Sequence, residues 1–256
     1  MRTSTNPALT RSSAFTRDRG PQTDDPLEQA YLGPSATSRH TGRMTVDDVV
    51  GRTGLLLAVA VATGGATWAL DLGGLAFPAA IVGLVLALVI IFKQVTSPAP
   101  IIAYAAAEGV FLGGVSQLFN AQYPGIVVQA VVGTAGVTAA MLGLYATGRI
   151  RVTPQFTKMV VGATMGFFVL IMVNLVASVF TGGSGLGLRE GPIGIVVGLV
   201  AIGLAALNLV LDFDLVQQGV NNGLPTRYGW FAAFAIMITL VWLYLEMLRL
   251  LSNLRG

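Results

Sequence analysis

Seven apolar stretches, each close to the roughly 20 residues a helix needs to cross a hydrocarbon core, constrain this chain more than any other feature. They fall at about residues 53–71, 75–93, 100–119, 125–146, 158–180, 192–213 and 229–251. Inside a bilayer a spanning segment must satisfy its own backbone N–H and C=O groups, so each stretch is expected to be an α-helix. Prolines agree with these divisions. Pro98, Pro100, Pro124, Pro154, Pro192 and Pro225 fall between stretches or at first-turn positions, where a missing N–H costs little. The expected fold class is all-α, a polytopic membrane protein with seven transmembrane helices.

Only 11% of the residues are charged, against about 25% in soluble domains, which excludes an ordinary soluble globule. Cysteine is absent, so neither a disulfide framework nor a thiolate metal site is available. The one histidine, His40, lies in a polar N-terminal segment. No HExxH and no GxxxxGK[ST] occurs, which removes support for a zinc protease or a nucleotide motor. Ser184 in GGSG is similar to the serine environment of rhomboid proteases, but no base is at hand to activate it, and a loop is expected there. The expectation is no enzyme, no firmly assigned metal and no cofactor beyond transient calcium. The net charge of +3 is spread over the tail and short loops rather than gathered in one domain, so no nucleic-acid partner is expected.

Residues 1–44 are expected to form a disordered cytoplasmic tail and 45–256 the seven-helix transmembrane domain. The tail is rich in Arg, Ser, Thr, Pro and Asp and has no apolar run of the secretory type. At its end, Thr45 is placed to cap a short helix leading into the membrane, with Asp47 and Asp48 in the positive first turn. Counting the tail and alternate connections on one side puts twelve Lys and Arg there, against Arg189, Arg249 and Arg255 on the other. That asymmetry places the N-terminus in the cytoplasm of a multi-pass cell-membrane protein.

Gly109 with Gly113, Gly162 with Gly166 and Gly194 with Gly198 form GxxxG pairs in three spans. Such pairs let helix backbones approach where lipid supplies little drive for association, and a compact bundle is expected. On the sixth span Gly194, Gly198, Ala201, Ala205, Asn208 and Asp212 share one face. Asp214 points roughly 200° away from Asp212, so the two acids of LDFD are not neighbours. Asp214 reads as a solvated helix end.

Acids at membrane depth are costly, about 2.5–3.5 kcal/mol each at a span's centre, and mark functional sites by default. Asp212 is expected near the cytoplasmic end of its span, with Glu108 and Glu246 deeper. Arg249 is one turn beyond Glu246 and is a local partner for it. Lys93 ends the second span on the side where Asp212 emerges, as a snorkelling anchor or as its ion-pair partner. Asn174, within the fifth span, is expected to bond across helices.

The sixth-span ending LNLVLDFDLVQQG and the last span VWLYLEMLRLL, on a seven-span plan, resemble the bacterial branch of the Bax inhibitor-1 family. MTVDDVVGRTG, YAAAEGVFLGG and YPGIVVQAVVGT are similar to actinobacterial-type members, and the resemblance runs from about residue 45 to the end. It implies six helices around a central seventh, and a pH-sensitive pair of acids controlling a calcium leak. Asp212 matches the family's sixth-span acid. Glu246 matches the last-span acid, more often Asp. Lys93 loosely matches the basic end of the second span, where arginine is expected, and lysine lacks its bidentate fork. The 34 positions from Asp212 to Glu246 exceed the family's interval, so residues 220–231 must form a longer connection or an interfacial turn if the two acids are to meet.

The functional expectation is a pH-sensitive cation leak sensing protons or ions through Asp212, Glu246 and Glu108, with Lys93 as gate partner and Asn208 and Asp214 secondary. Expected partners are the lipid bilayer, calcium and protons, and membrane proteins. The rival expectation is a non-conducting regulator that binds a membrane protein such as a protease.

Overall fold

The structure, a computed structural model, describes residues 42–182, 185–188 and 191–256. The tail through residue 41, with His40, and Ser184 and Arg189 lie outside the described residues. Seven helices follow in order: α1 Val46–Ala69, α2 Ala76–Lys93, α3 Pro98–Gln122, α4 Ile126–Ala146, α5 Pro154–Phe180, α6 Gly191–Asn221 and α7 Tyr228–Arg255. All seven are long and apolar enough to cross a membrane, α2 when joined to the short 3-10 turn at Gly73–Leu75 before it. This is a multi-pass membrane protein.

Local chemistry sets the helix ends. Thr45 caps α1 through a reciprocal capping box with Asp48, as its sequence position implies, and the expected short lead-in helix is continuous with the first span. Pro98 and Pro154 open α3 and α5, where their missing N–H would have had no intrahelical partner. α6 departs most from expectation. It runs two turns past residue 213, to Asn221, because Leu215, Val216, Gln217 and Gln218 continue the helical pattern, no proline intervenes before Pro225, and Gly219 is held within the helix by the Met44 side chain packed on it.

α7 is the most buried helix and packs against α1, α3, α4 and α6. α5 lies on α6, with its Phe167 ring 6.3 Å from that of Trp242 on α7. α2 packs on α3. The core joins Leu56 of α1, Ile101 and Tyr104 of α3, Leu209 of α6 and Phe234, Met237 and Leu243 of α7.

The glycine pairs do unequal work. Gly109 and Gly113 face Gly64 on α1 so closely that a Cβ at Gly64 would lie 2.9 Å from the Gly109 carbonyl oxygen, and one at Gly113 2.7 Å from the Gly64 Cα. Gly194 and Gly198 are buried, Gly198 against Leu250 of α7. Gly162 and Gly166 have open space beside them and face outward on α5.

At the face where α1 begins, the chain before that helix is stitched to the α6–α7 connection. Met44 N–H donates to Leu224 O at 2.7 Å and Thr226 N–H to Gly42 O at 2.9 Å. The Met44 side chain is buried, filling the space left by Gly219. Arg52 of α1 completes the clamp, donating to Thr226 O with its guanidinium 5.1 Å from the Trp230 ring centroid.

Gly113→Leu therefore forces backbones apart and is expected to destabilise the bundle by at least about 1–3 kcal/mol, whereas Gly162→Leu leaves stability unchanged. Thermal unfolding of both variants in detergent checks this, and equal midpoints would contradict the assignment of α1–α3 as the close contact.

Candidate functional site

The α6–α7 seam carries the polar groups that the sequence singles out. Asp212 sits 9 residues inside the end of α6 at Asn221, about 13 Å along the axis at 1.5 Å per residue. The helix thus continues past the expected end of the span near residue 213, and Asp212 lies within it rather than in its last turn. Its carboxyl is half-buried, and its Oδ2 accepts a hydrogen bond from Thr239 Oγ1 of α7 at 2.6 Å. Thr239 is itself buried. A short bond between a carboxyl group and a hydroxyl thus joins α6 to the central helix, more than two turns in from the end of α6.

Glu246 is buried further along α7 and pairs with Arg249, one turn on. The pair is poorly exposed, with side-chain exposures of 6% for Glu246 and 13% for Arg249, and Glu246 Oε2 has no hydrogen-bond partner. Glu246 lies 7 residues beyond Thr239 on the same helix face, about 10 Å further along the axis. Asp212 and Glu246 belong to one polar stripe but to successive levels of it. The connection between α6 and α7 is short, residues 222–227, rather than the long one that would bring the two acids level.

Lys93 is exposed at the last residue of α2, and among the described residues no ion pair joins it to Asp212. Asp214 is half-buried and accepts from Tyr145 Oη of α4 at 3.3 Å and from Gln218 Nε2 at 2.5 Å. Its side chain thus turns away from Asp212, as helix geometry requires. Asn208 donates to Thr164 Oγ1 of α5 and to Leu204 O, both at 2.8 Å, so it serves the α5–α6 contact rather than the α7 side. Among the described residues Asn174 bonds a connection rather than another helix: its Oδ1 accepts from Leu186 N–H at 2.9 Å and holds the α5–α6 connection. Glu108, on α3, is half-buried against Gly83 of α2.

Sequence reasoning passed over Thr239 because a lone threonine in AIMITLVWLY is unremarkable in a membrane helix. Its position seven residues before Glu246, on the same face, was the available signal. Ser116 and Tyr244 were also missed; their hydroxyls lie 2.7 Å apart and link α3 to α7.

A threonine hydroxyl can both donate and accept. It donates to an ionised Asp212 and accepts from a protonated one, so the α6–α7 contact persists while the charge of the site changes. A second carboxylate would repel an ionised Asp212, and a lysine would hold it ionised. Thr239 does neither.

A family model described as Bax inhibitor 1 like matches residues 6–256. No curated protein and no solved structure matches the chain.

Removing the hydroxyl at nearly constant shape, Thr239→Val is expected to cost about 1–3 kcal/mol by leaving Asp212 short of a partner. The double variant with Asp212→Leu should cost less than the sum of the two single changes. Reversible unfolding of all three in detergent measures the coupling, and strict additivity would mean that the bond contributes nothing.

Proposed function

Because this chain belongs to the Bax inhibitor-1 family, we propose that it is a cation leak of the cell membrane, passing calcium under the control of a proton at Asp212. The observation that carries the proposal is the Asp212–Thr239 bond, which sets one titratable group in the contact between α6 and the central α7. Calcium takes oxygen ligands and a leak needs them to be few enough for release. The Asp212 carboxylate and Thr239 hydroxyl supply such oxygens, and the Ala235 carbonyl lies 3.4 Å from that hydroxyl.

Charge then decides occupancy. An ionised Asp212 draws a cation into the seam, and a proton there removes the attraction without breaking the helix contact. The leak accordingly falls as the solution is made acidic. Glu246 is committed to Arg249 and takes a lesser part. Passage also requires α6 to part from α7 beyond Asp212, since Gly198 and Leu250 are closely packed there. Arg43, Arg52, Lys93, Arg149, Arg151, Lys158 and Arg227 cluster on the face where α1 begins, which supports a cytoplasmic N-terminus.

A second function has its own support. The clamp of Gly42–Met44 on Leu224–Thr226 attaches the root of the tail to the α6–α7 connection. A membrane protein bound to the tail would act on that connection, making the chain a regulator rather than a conductor. Removing residues 1–41, which spares the clamp, separates the two: a leak survives the deletion, and partner capture does not.

Calcium flux into proteoliposomes across pH tests the first proposal. The parent is expected to leak less at acid pH, Asp212→Asn to leak little at any pH, and Glu246→Gln to keep the pH dependence. Traces that are pH-independent and indistinguishable among the three would sink the acid-controlled leak.

A further inference from the structure

The seam between α2 and α3 holds a carboxyl group that the Asp212 site does not use. Glu108 lies 10 residues from the start of α3 at Pro98, and Gly83 lies 10 residues from the end of α2 at Lys93. Both are therefore about 15 Å in from the same face, near the middle of a hydrocarbon core about 30 Å thick. A Cβ at residue 83 would stand 3.1 Å from Glu108 Oε1, so the carboxyl occupies the volume that a side chain on α2 would take. The other oxygen, Oε2, is buried without a hydrogen-bond partner.

No cation faces this group from any helix packed against α3. α2 carries one charge, Lys93, exposed at its far end, and α4 carries none. On α1 the charges Asp47, Asp48 and Arg52 lie in the first two turns, and Thr63 and Thr67 are bonded to carbonyls of their own helix. Asp71, in the connection before α2, bonds Gln117 near the other end of α3. On α7, Arg249 is engaged with Glu246. On α3 itself the neighbour is Tyr104, one turn earlier, whose hydroxyl hydrogen-bonds the Glu108 carboxyl and whose buried ring meets Phe234 of α7 edge-on at 4.9 Å. An ionised carboxylate here would have neither counter-charge nor full hydrogen bonding, a combination that buried charges do not sustain.

We propose that Glu108 is a proton-binding site in the α2–α3 seam, separate from Asp212 and occupied in the packed state. The packed seam holds the neutral acid. Loss of the proton leaves a bare charge between two helices, and because α2 rests on the bundle through α3, the relief is for α2 to move away and let water reach the carboxylate. The site thus adds a second proton-dependent contact, at a depth comparable to that of Asp212 but on the other side of α3.

Infrared difference spectroscopy of the full chain in liposomes at neutral pH reads the proton directly. Subtracting Glu108→Gln from the parent should reveal loss of a protonated-carboxyl C=O band, and the same band should persist in Asp212→Asn. Dicyclohexylcarbodiimide gives a chemical counterpart. The acid proton passes to a carbodiimide nitrogen, the carboxyl oxygen adds to the central carbon, and an acyl shift leaves a stable N-acylurea with no atom lost. Peptide mass mapping should place the adduct on Glu108 with a yield about tenfold or more above that on ion-paired Glu246. Protection of α2 amides, taken relative to the intrinsic base-catalysed exchange rate at each pH, should fall as pH rises in the parent and stay constant in Glu108→Gln. Loss of carboxylate bands alone on Glu108→Gln would overturn the proposal. None of these readouts uses calcium, so the result is separable from the fate of the Asp212 leak.

Discussion

Backbone contact between α1 and α3 is the constraint on which the rest of this bundle depends. Lipid offers helices little hydrophobic reason to associate, so assembly rests on how closely their surfaces fit. Gly64 against Gly109 and Gly113 gives a fit that no side chain interrupts. With α1 and α3 locked, Tyr104 is aimed at Phe234 of α7 and Glu108 at Gly83 of α2. The same lock carries Arg52 to Thr226 and Trp230, where it pins the connection between α6 and α7. One small-residue contact thereby positions polar groups on both sides of α3.

The polar groups within the membrane are handled in three distinct ways. Glu246 has a cation on its own helix, Asp212 has a neutral hydroxyl on another helix, and Glu108 has a glycine. A local ion pair balances the charge within one helix. The hydroxyl preserves contact while leaving the charge free to change. The glycine provides volume and the Tyr104 hydroxyl a hydrogen bond, but neither supplies a counter-charge. Three acids that look alike in the sequence are thus chemically unlike, and the difference lies wholly in what each one faces.

Much of the fold was legible in the sequence because membrane helices declare themselves by length and apolarity. The Thr45 cap, the proline positions and the Glu246–Arg249 pair follow from neighbours a few residues apart, and the structure has each of them. The end of α6 lies beyond the expected boundary because LVQQGVN turns polar without turning non-helical, and apolarity marks the span rather than the helix. The pairing of Asn208 with Thr164 and of Asn174 with Leu186 were beyond reach for another reason. The first depends on the rotation of one helix against the next and the second on how the α5–α6 connection folds back onto α5, and a period of 3.6 residues is blind to both.

By itself, the sequence determined that seven helices cross a membrane, which residues on each helix share a face, and that acids lie at depth, since these follow from local periodicity and the cost of exposing backbone to lipid. Tertiary structure alone decided the partners. It gave Asp212 to Thr239 rather than to Lys93 or Glu246, left Lys93 exposed at the helix end, and set Glu108 against Gly83. The physical reason is that helix register and rotation are settled by the close packing of small residues between helices, a sum over contacts that no single segment contains.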